Sequence, residues 1–267
     1  MGDVYHILSA HWRRTLEASR FLHTLSKEFY QQELTFDNEA MQYVMTERGF
    51  SEEAIKKWGL GTGSTSSRLS AWLQKHATEA DLSNLIDTGV LKPIENGQLL
   101  HKFSSRITMP IYDLLGNIIG FQSRKLPSSS SNKKYLSSPS SWLFQKSLVL
   151  YGLNFALPDI PRFGCVLIVE GNFDVVSLHE AGITCAVAPS GTALMGEHLL
   201  LLKNFTNNVV TWFDSDEAGR RASTKTGALC AQFEMNHRDV LVEEFKDPDE
   251  AVKNGLNIMD RLGLRLM

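Results

Sequence analysis

The sequence predicts an α/β chain in which a mixed α+β unit precedes a Rossmann-like unit built on a parallel sheet. Three observations carry this. Residues 11–88 are dominated by helical periodicity, with apolar residues recurring between charges. Residues 98–125 read as two strands joined by a turn. From Cys165 onward, short apolar runs alternate with helical stretches, which is the order of a parallel sheet with crossover helices.

The elements follow in chain order. HWRRTLEASRFLHTLSKEFYQQEL spaces Leu16, Phe21, Leu25 and Phe29 for a helix. DNEAMQYVMTERG predicts a second helix, capped by Asp37 and stopped at Gly49. SEEAIKKWGLG predicts a third, capped by Ser51 and ending at Gly59 or Gly61, and GTGSTSS (61–67) reads as a loop before helix resumes over 68–88. The two strands after residue 98 turn at Leu115-Gly116-Asn117, and the Ser-rich stretch 126–142 reads as a flexible loop. The Pro-bounded segment 158–164 is the expected boundary between units. Beyond it, CVLIV (165–169), CAVAP (185–189), NVVTWF (208–213) and RDVLVEEF (238–245) read as strands. Helices fall between them, and a last short helix opens at DPDEAVKNG. The expected division is a helical arm over 1–35, a basic unit over 36–160, a parallel-sheet unit over 161–255 and a tail over 256–267.

Composition is that of a globular protein, 43% hydrophobic and 21% charged, so an ordinary core is available. Cys165, Cys185 and Cys230 are far apart and form no Cys-x-x-Cys pair, which argues against a disulfide framework or a thiolate zinc site. No stretch is long and apolar enough for a membrane helix, and the N-terminus lacks a secretory core. The net charge of -3 does not itself suggest nucleic acid. Its distribution is more informative. Residues 101–150 hold seven Lys/Arg against one acid, and residues 166–249 hold thirteen acids against six bases. Such neighbours suit a polyanion on one side and cations on the other, or are two ordinary solvated surfaces.

In open parallel sheets, sites form beyond the carboxyl ends of the strands. Glu170 follows the first predicted strand and Asp174 lies a turn later. Asp214 and Asp216 follow the third strand, and Asp247 and Asp249 follow the fourth. Carboxylates so gathered repel one another unless a cation sits among them, and Mg²⁺ or Mn²⁺ is the hard divalent ion suited to oxygen ligands. Each acid also has a plainer reading. Asp216 can cap the following helix, Asp247 can be the N-cap of a Pro-Asp-Glu box, and Glu170 can pair with a lysine. His101 and His198 have no evident partners and read as ordinary histidines.

Glu170-Gly171-Asn172-Phe173-Asp174 and FDSDEAG (213–219) resemble the first two motifs of the Toprim domain, and KDPDE (246–250) resembles the third acidic element of bacterial DnaG-type primases. PSGTAL (189–194) is similar to a loop those primases carry; its amides suit an anion or simply a tight turn. Toprim motifs also occur in nucleases and topoisomerases. The upstream half points to primase: RGFSEEAIKKWGLG, FSSRITMPIYDLLGNIIGFQSRKL and KKYLSSPSSWLFQKSLVLYGL resemble, in order, segments of the primase RNA-polymerase core. The resemblance spans about 20–252.

This resemblance implies an N-terminal primase unit, a Toprim catalytic domain, and RNA-primer synthesis from ribonucleoside triphosphates on single-stranded DNA during replication. It implies Glu170, Asp214 and Asp216 as catalytic, those three with Asp249 as metal ligands, and Asp174 and Asp247 as supporting acids. Glu170 is compatible with a general-base or a ligand role. Arg106, Arg124, Lys134, Tyr135 and Lys146 fall on the family's nucleotide- and template-binding positions, Tyr135 either stacking on a base or packing at the loop's foot. A replicative helicase, and a zinc-binding domain supplied in trans, are the implied partners, in the cytoplasm of a bacterium or phage-infected host. No zinc-ligand pattern precedes the core and the sequence stops soon after the third acidic motif, so a minimal core or a fragment is expected. A Toprim-type nuclease and a non-catalytic nucleic-acid-binding subunit are the alternatives.

Overall fold

The computed structural model describes residues 2–63, 66–76, 83, 85–93 and 99–263. The chain divides into two compact units, Met1–Glu47 with Ser51–Phe144, and Arg48–Phe50 with Gln145–Met267.

In the first unit, α1 (Gly2–Phe36) is one continuous helix. Its buried stripe is Leu22, Leu25, Phe29 and Tyr30, which join Leu69, Leu73, Phe103 and Phe121 in one core. Phe21, expected on that stripe, is 54% exposed. From Leu22 onward, the helix expected as an arm over 1–35 contributes its apolar face to the unit's core. Asp37 caps α2 (Asn38–Gln42) by accepting from the Ala40 N–H, but the stretch continues as a π-helical turn, Tyr43–Glu47, rather than as one helix to Gly49. Ser51 caps α3 (Glu52–Trp58) and Gly59 ends it in the left-handed region at φ +68°, both as predicted.

Next come β1 (Gly61–Gly63), which takes up the start of the expected loop, and α4 (Ser66–His76). The rest of the helical stretch expected to residue 88 lies partly outside the described residues. β2 (Leu91–Pro93) and β3 (Leu99–His101) pair antiparallel. β4 (Arg106–Tyr112) and β5 (Ile118–Lys125) form the predicted hairpin. Asp113 Oδ1 accepts from the Leu115 and Asn117 N–H groups, and Gly116, at φ +82°, supplies the left-handed residue the turn requires. The Ser-rich stretch is not merely a loop. It carries β6 (Tyr135–Ser137), which pairs with β5 and closes an antiparallel sheet of order β1-β4-β5-β6.

The second unit contains β7 (Leu150–Tyr151), α5 (Leu153–Ala156), α6 (Ile160–Phe163), β8 (Val166–Ile168), α7 (Asn172–Glu180), β9 (Ala186–Pro189), α8 (Gly196–Leu202), β10 (Asn208–Thr211), α9 (Glu217–Gln232), β11 (Asn236–Asp239), α10 (Pro248–Lys253) and α11 (Ile258–Leu262). Its sheet has the order β11-β10-β8-β9-β7. β8 pairs in parallel with β10 and β9, β10 pairs in parallel with β11, and β7 is an antiparallel edge. Val166, Leu167, Ile168 and Val169 are all fully buried, the continuous apolar run that a central parallel strand requires.

The compact units part at Phe144/Gln145, ahead of the Pro-bounded segment, because Leu150 and Tyr151 pair with Pro189 and Ala188 of the second sheet. Two other bounds differ from the expected ones. The fourth strand ends at Asp239 rather than running to 245; beyond it, Val242 is buried between exposed neighbours. The tail expected from 256 includes α11, which buries Ile258 and Leu262. All three cysteines are buried and free.

Candidate catalytic carboxylates and basic face

The second unit gathers acids at the carboxyl edge of its sheet. Glu170 lies just past β8, and its Oε1 accepts the Asp214 N–H at 3.2 Å. Burial, then the charges of Asp214 and Asp216, raise the Glu170 carboxyl above its usual range. Asp174, at the start of α7, is buried and accepts the Gly171 N–H at 3.0 Å. Burial, with the charges of Asp247, Asp249 and Asp214, pushes its pKa up to about 8. The loops that carry the second and third motifs are tied together by the Ser215 N–H donating to the Lys246 carbonyl at 2.9 Å.

Two of these acids also cap helices, as their plainer readings anticipated. Asp216 Oδ1 accepts the Gly219 N–H at the head of α9, and Asp247 Oδ1 accepts the Glu250 N–H at the head of α10. Each cap takes one oxygen of a carboxylate that has two. Gly219 explains the small residues after the aspartates. A Cβ there would stand 2.0 Å from the Asp214 carbonyl oxygen, so glycine is needed for the chain's own close approach.

Asp249 is placed differently from the expectation of a metal ligand. It is 3% exposed. Its Oδ2 meets Arg48 Nη1 at 2.5 Å and Lys253 Nζ at 2.7 Å, and its Oδ1 accepts from Ser177 Oγ at 2.5 Å. Its N–H donates to Asp174 Oδ1 at 3.4 Å. Arg48 also lies over the Phe173 ring, 4.6 Å from its centroid. Asp249 is thus the hub of a buried ion-pair network that joins α7, α10 and Arg48. Sequence reasoning missed Arg48, Ser177 and Lys253. Only Lys253, four residues after Asp249 on one helix, left a readable signal.

The carboxylates repel one another, and among the described residues no three potential ligands stand together as a closed metal cluster. The donor set of Glu170, Asp214, Asp216 and Asp247 is all oxygen; burial first, and neighbouring carboxylates second, raise Glu170 and Asp174. The all-oxygen donor set fits a hard divalent cation.

The basic residues fall in both units. Arg106 is 2% exposed. Its guanidinium donates to Ser131 Oγ at 2.6 Å and to the Lys133 and Lys134 carbonyls at 2.7 and 3.4 Å. It is committed to holding the 131–134 loop rather than facing a ligand, and burial lowers its pKa. Arg124 donates to the Tyr135 hydroxyl at 2.9 Å and lies over the Tyr43 and Tyr135 rings. Lys134 and Tyr135 are exposed, with Lys134 Nζ 5.8 Å from the Tyr135 ring centroid. Lys146 belongs to the second unit, where its carbonyl accepts from His198 Nε2 at 2.9 Å. His198 is therefore structural, and so is buried His101, which bonds the Tyr30 hydroxyl at 2.9 Å.

A parallel sheet with acids at its carboxyl edge, following a unit with an exposed cationic and aromatic strand, defines a Toprim-bearing primase-type core. The family models agree: residues 29–157 match the DNA primase catalytic core, N-terminal domain, and residues 167–252 match a Toprim-like model. The DNA primase of Rickettsia felis is 33% identical over 242 residues, covering 89% of this chain and 40% of that protein. The Aquifex aeolicus primase structure (zinc-binding and RNA polymerase domains) superposes with a TM-score of 0.86 at 32% identity, covering 95% of this chain and 62% of that one. A DnaG primase catalytic domain bound to single-stranded DNA gives 0.81 at 30% identity, covering 95% of this chain and 83% of that one. The chain belongs to the DnaG-type DNA primase family. It spans about 40% of the length of the curated relatives it matches. Among the described residues, no helix is long and apolar enough to cross a membrane.

Proposed function

We propose that this chain is the catalytic core of a primase that builds short RNA primers from ribonucleoside triphosphates on single-stranded DNA. The observation that supports it best is Glu170 holding the Asp214 amide while the Ser215–Lys246 bond ties together the loops that carry Asp214, Asp216 and Asp247, in a chain whose residues 29–157 match the primase-core model. These four residues would hold magnesium or manganese, with Asp249 supporting them through Arg48 and Lys253. Such an ion, when bound, neutralises the charge of a transferring phosphoryl group and orients its oxygens.

The chain's own residues do the rest. Glu170, its carboxyl raised above its usual range by burial and by the charges of Asp214 and Asp216, takes the proton of the attacking 3′-hydroxyl. Asp174 holds the Gly171 and Asp249 amides, and through them the loops after β8 and before α10. Lys134 and Arg124 bind phosphates, Tyr135 offers a ring to a base, and Arg106 fixes the loop that presents them. Lys146 adds a cation from the second unit. A replicative helicase and a zinc-binding domain acting in trans are the proposed partners.

The test is incorporation of labelled ribonucleotides on single-stranded DNA with Mg²⁺ or Mn²⁺. Wild type is expected to make short RNA, and Glu170→Gln and Asp216→Asn to lose at least about 100-fold, the scale of a positioned proton acceptor or charge stabiliser. DNA cleavage in place of synthesis would overturn the reading in favour of a Toprim nuclease.

A further inference from the structure

A cavity of about 620 Å³ opens between α9 and the loop that follows β9, and the reading above leaves it unused. Its walls are apolar: Phe213 two residues past β10, Leu194 from the loop, and Ala222 and Leu229 from α9. Its remaining lining includes two cations four residues apart on α9, Arg221 and Lys225. Arg221 is paired with Glu217, and Lys225 is exposed. Thr192 adds a hydroxyl oxygen that is buried and has no hydrogen-bond partner. Glu170 lines the same cavity, so one carboxylate is shared between it and the acidic cluster.

The volume lies within the range of about 300–1,000 Å³ typical of small-molecule sites. Apolar walls accept a flat base, two cations accept a phosphate, and a carboxylate accepts a sugar hydroxyl. The charge also selects among nucleotides. Two cations, one of them already paired, balance a single phosphodiester better than the several charges of a triphosphate.

We propose that this cavity seats the nucleotide at the growing 3′ end of the primer. Its base lies against Phe213 and Leu194, its 5′-phosphate against Arg221 and Lys225, and its 3′-hydroxyl toward Glu170. The assignment rests on the primase reading and deepens it.

Adenosine 5′-monophosphate is the probe, titrated into the full chain in the presence of a chelator and followed calorimetrically. Wild type binds it. Lys225→Ala weakens binding about tenfold, the scale of one lost charged hydrogen bond. Ala222→Phe fills the cavity and abolishes binding. Lys225, exposed on its helix, keeps the test valid even if Ala222→Phe disturbs folding. In extension assays, Lys225→Ala raises the KM for a 5′-phosphorylated dinucleotide primer and leaves the KM for the incoming triphosphate unchanged. Equal binding of the monophosphate by all three proteins overturns the assignment. So does a rise in the triphosphate KM instead of the dinucleotide KM, or primer synthesis by a wild type that binds no monophosphate. Monophosphate binding with this variant pattern but without primer synthesis overturns the primase reading, and with it the identity of the nucleotide as a primer end.

Discussion

A buried guanidinium must find acceptors, and Arg106 finds them in its own chain. Ser131 Oγ and the carbonyls of Lys133 and Lys134 take up its donors, so the cation positions two lysines instead of reaching a phosphate. Salt dependence separates the two roles. Lys134→Ala should lower the salt slope of single-stranded DNA affinity by about 0.7, the counterion released by one phosphate contact on a single strand. Arg106→Ala should leave that slope nearly unchanged while it weakens binding and speeds hydrogen exchange of the 131–136 amides. Equal slope changes in both variants would return Arg106 to the ligand face. Asp174 gives a second prediction at this scale. Its carboxyl titrates at about 8 in the folded chain and near about 3.9 when unfolded. Between those values the folded state binds the proton more tightly, so stability falls as pH rises from about 4 to about 8. Asp174→Asn removes this burden and retains an acceptor for Gly171. Its melting temperature, measured with a chelator, should exceed that of wild type by several degrees at pH 8, and the two should converge toward pH 4.

At the scale of elements, the strand-to-helix junction after β10 depends on a missing atom. Gly219→Ala would place a Cβ 2.0 Å from the Asp214 carbonyl oxygen, against backbone that cannot yield locally. The variant should lose both stability and primer synthesis, read by melting and ribonucleotide incorporation. Unchanged melting would show that the loop has room to shift. The Asp249 network joins elements far apart in sequence. Arg48→Ala leaves Asp249 with Lys253 and Ser177 but without its second cation, and should destabilise the chain by about 1.5–3 kcal/mol in denaturant unfolding, the scale of a lost hydrogen bond to a charged group whose charge stays paired. This scale also shows what was legible in the sequence. Runs such as CVLIV and NVVTWF declared buried strands, and Asp37, Ser51 and Asp247 declared caps, because those signals are local. The two-residue β7 and the Arg48–Asp249 pair were not legible, because each depends on a partner that only the folded chain brings near. The ion pairs of Asp249 were hidden for a related reason. Beside Asp247 it looks like half of an acidic pair, and only burial against Arg48 and Lys253 reveals a hub.

At the scale of the whole molecule, charge is divided along the chain, seven bases against one acid over 101–150 and thirteen acids against six bases over 166–249. Each unit has its own hydrophobic core, so ligands can act on the two selectively. A divalent cation that binds the folded carboxylates and not the unfolded chain stabilises by an amount that grows with the logarithm of its concentration. Magnesium or manganese should therefore raise the melting temperature of the second unit. At 100 times the dissociation constant the gain is about 2.7 kcal/mol. Because the ion replaces repulsion among Glu170, Asp214, Asp216 and Asp247, Asp214→Asn and Asp247→Asn should each shrink the shift. Asp249→Asn should lower the starting temperature through its lost ion pairs while keeping most of the shift. The opposite pattern, with the shift lost in Asp249→Asn and kept in Asp247→Asn, would make Asp249 the ligand and Asp247 only the cap of α10.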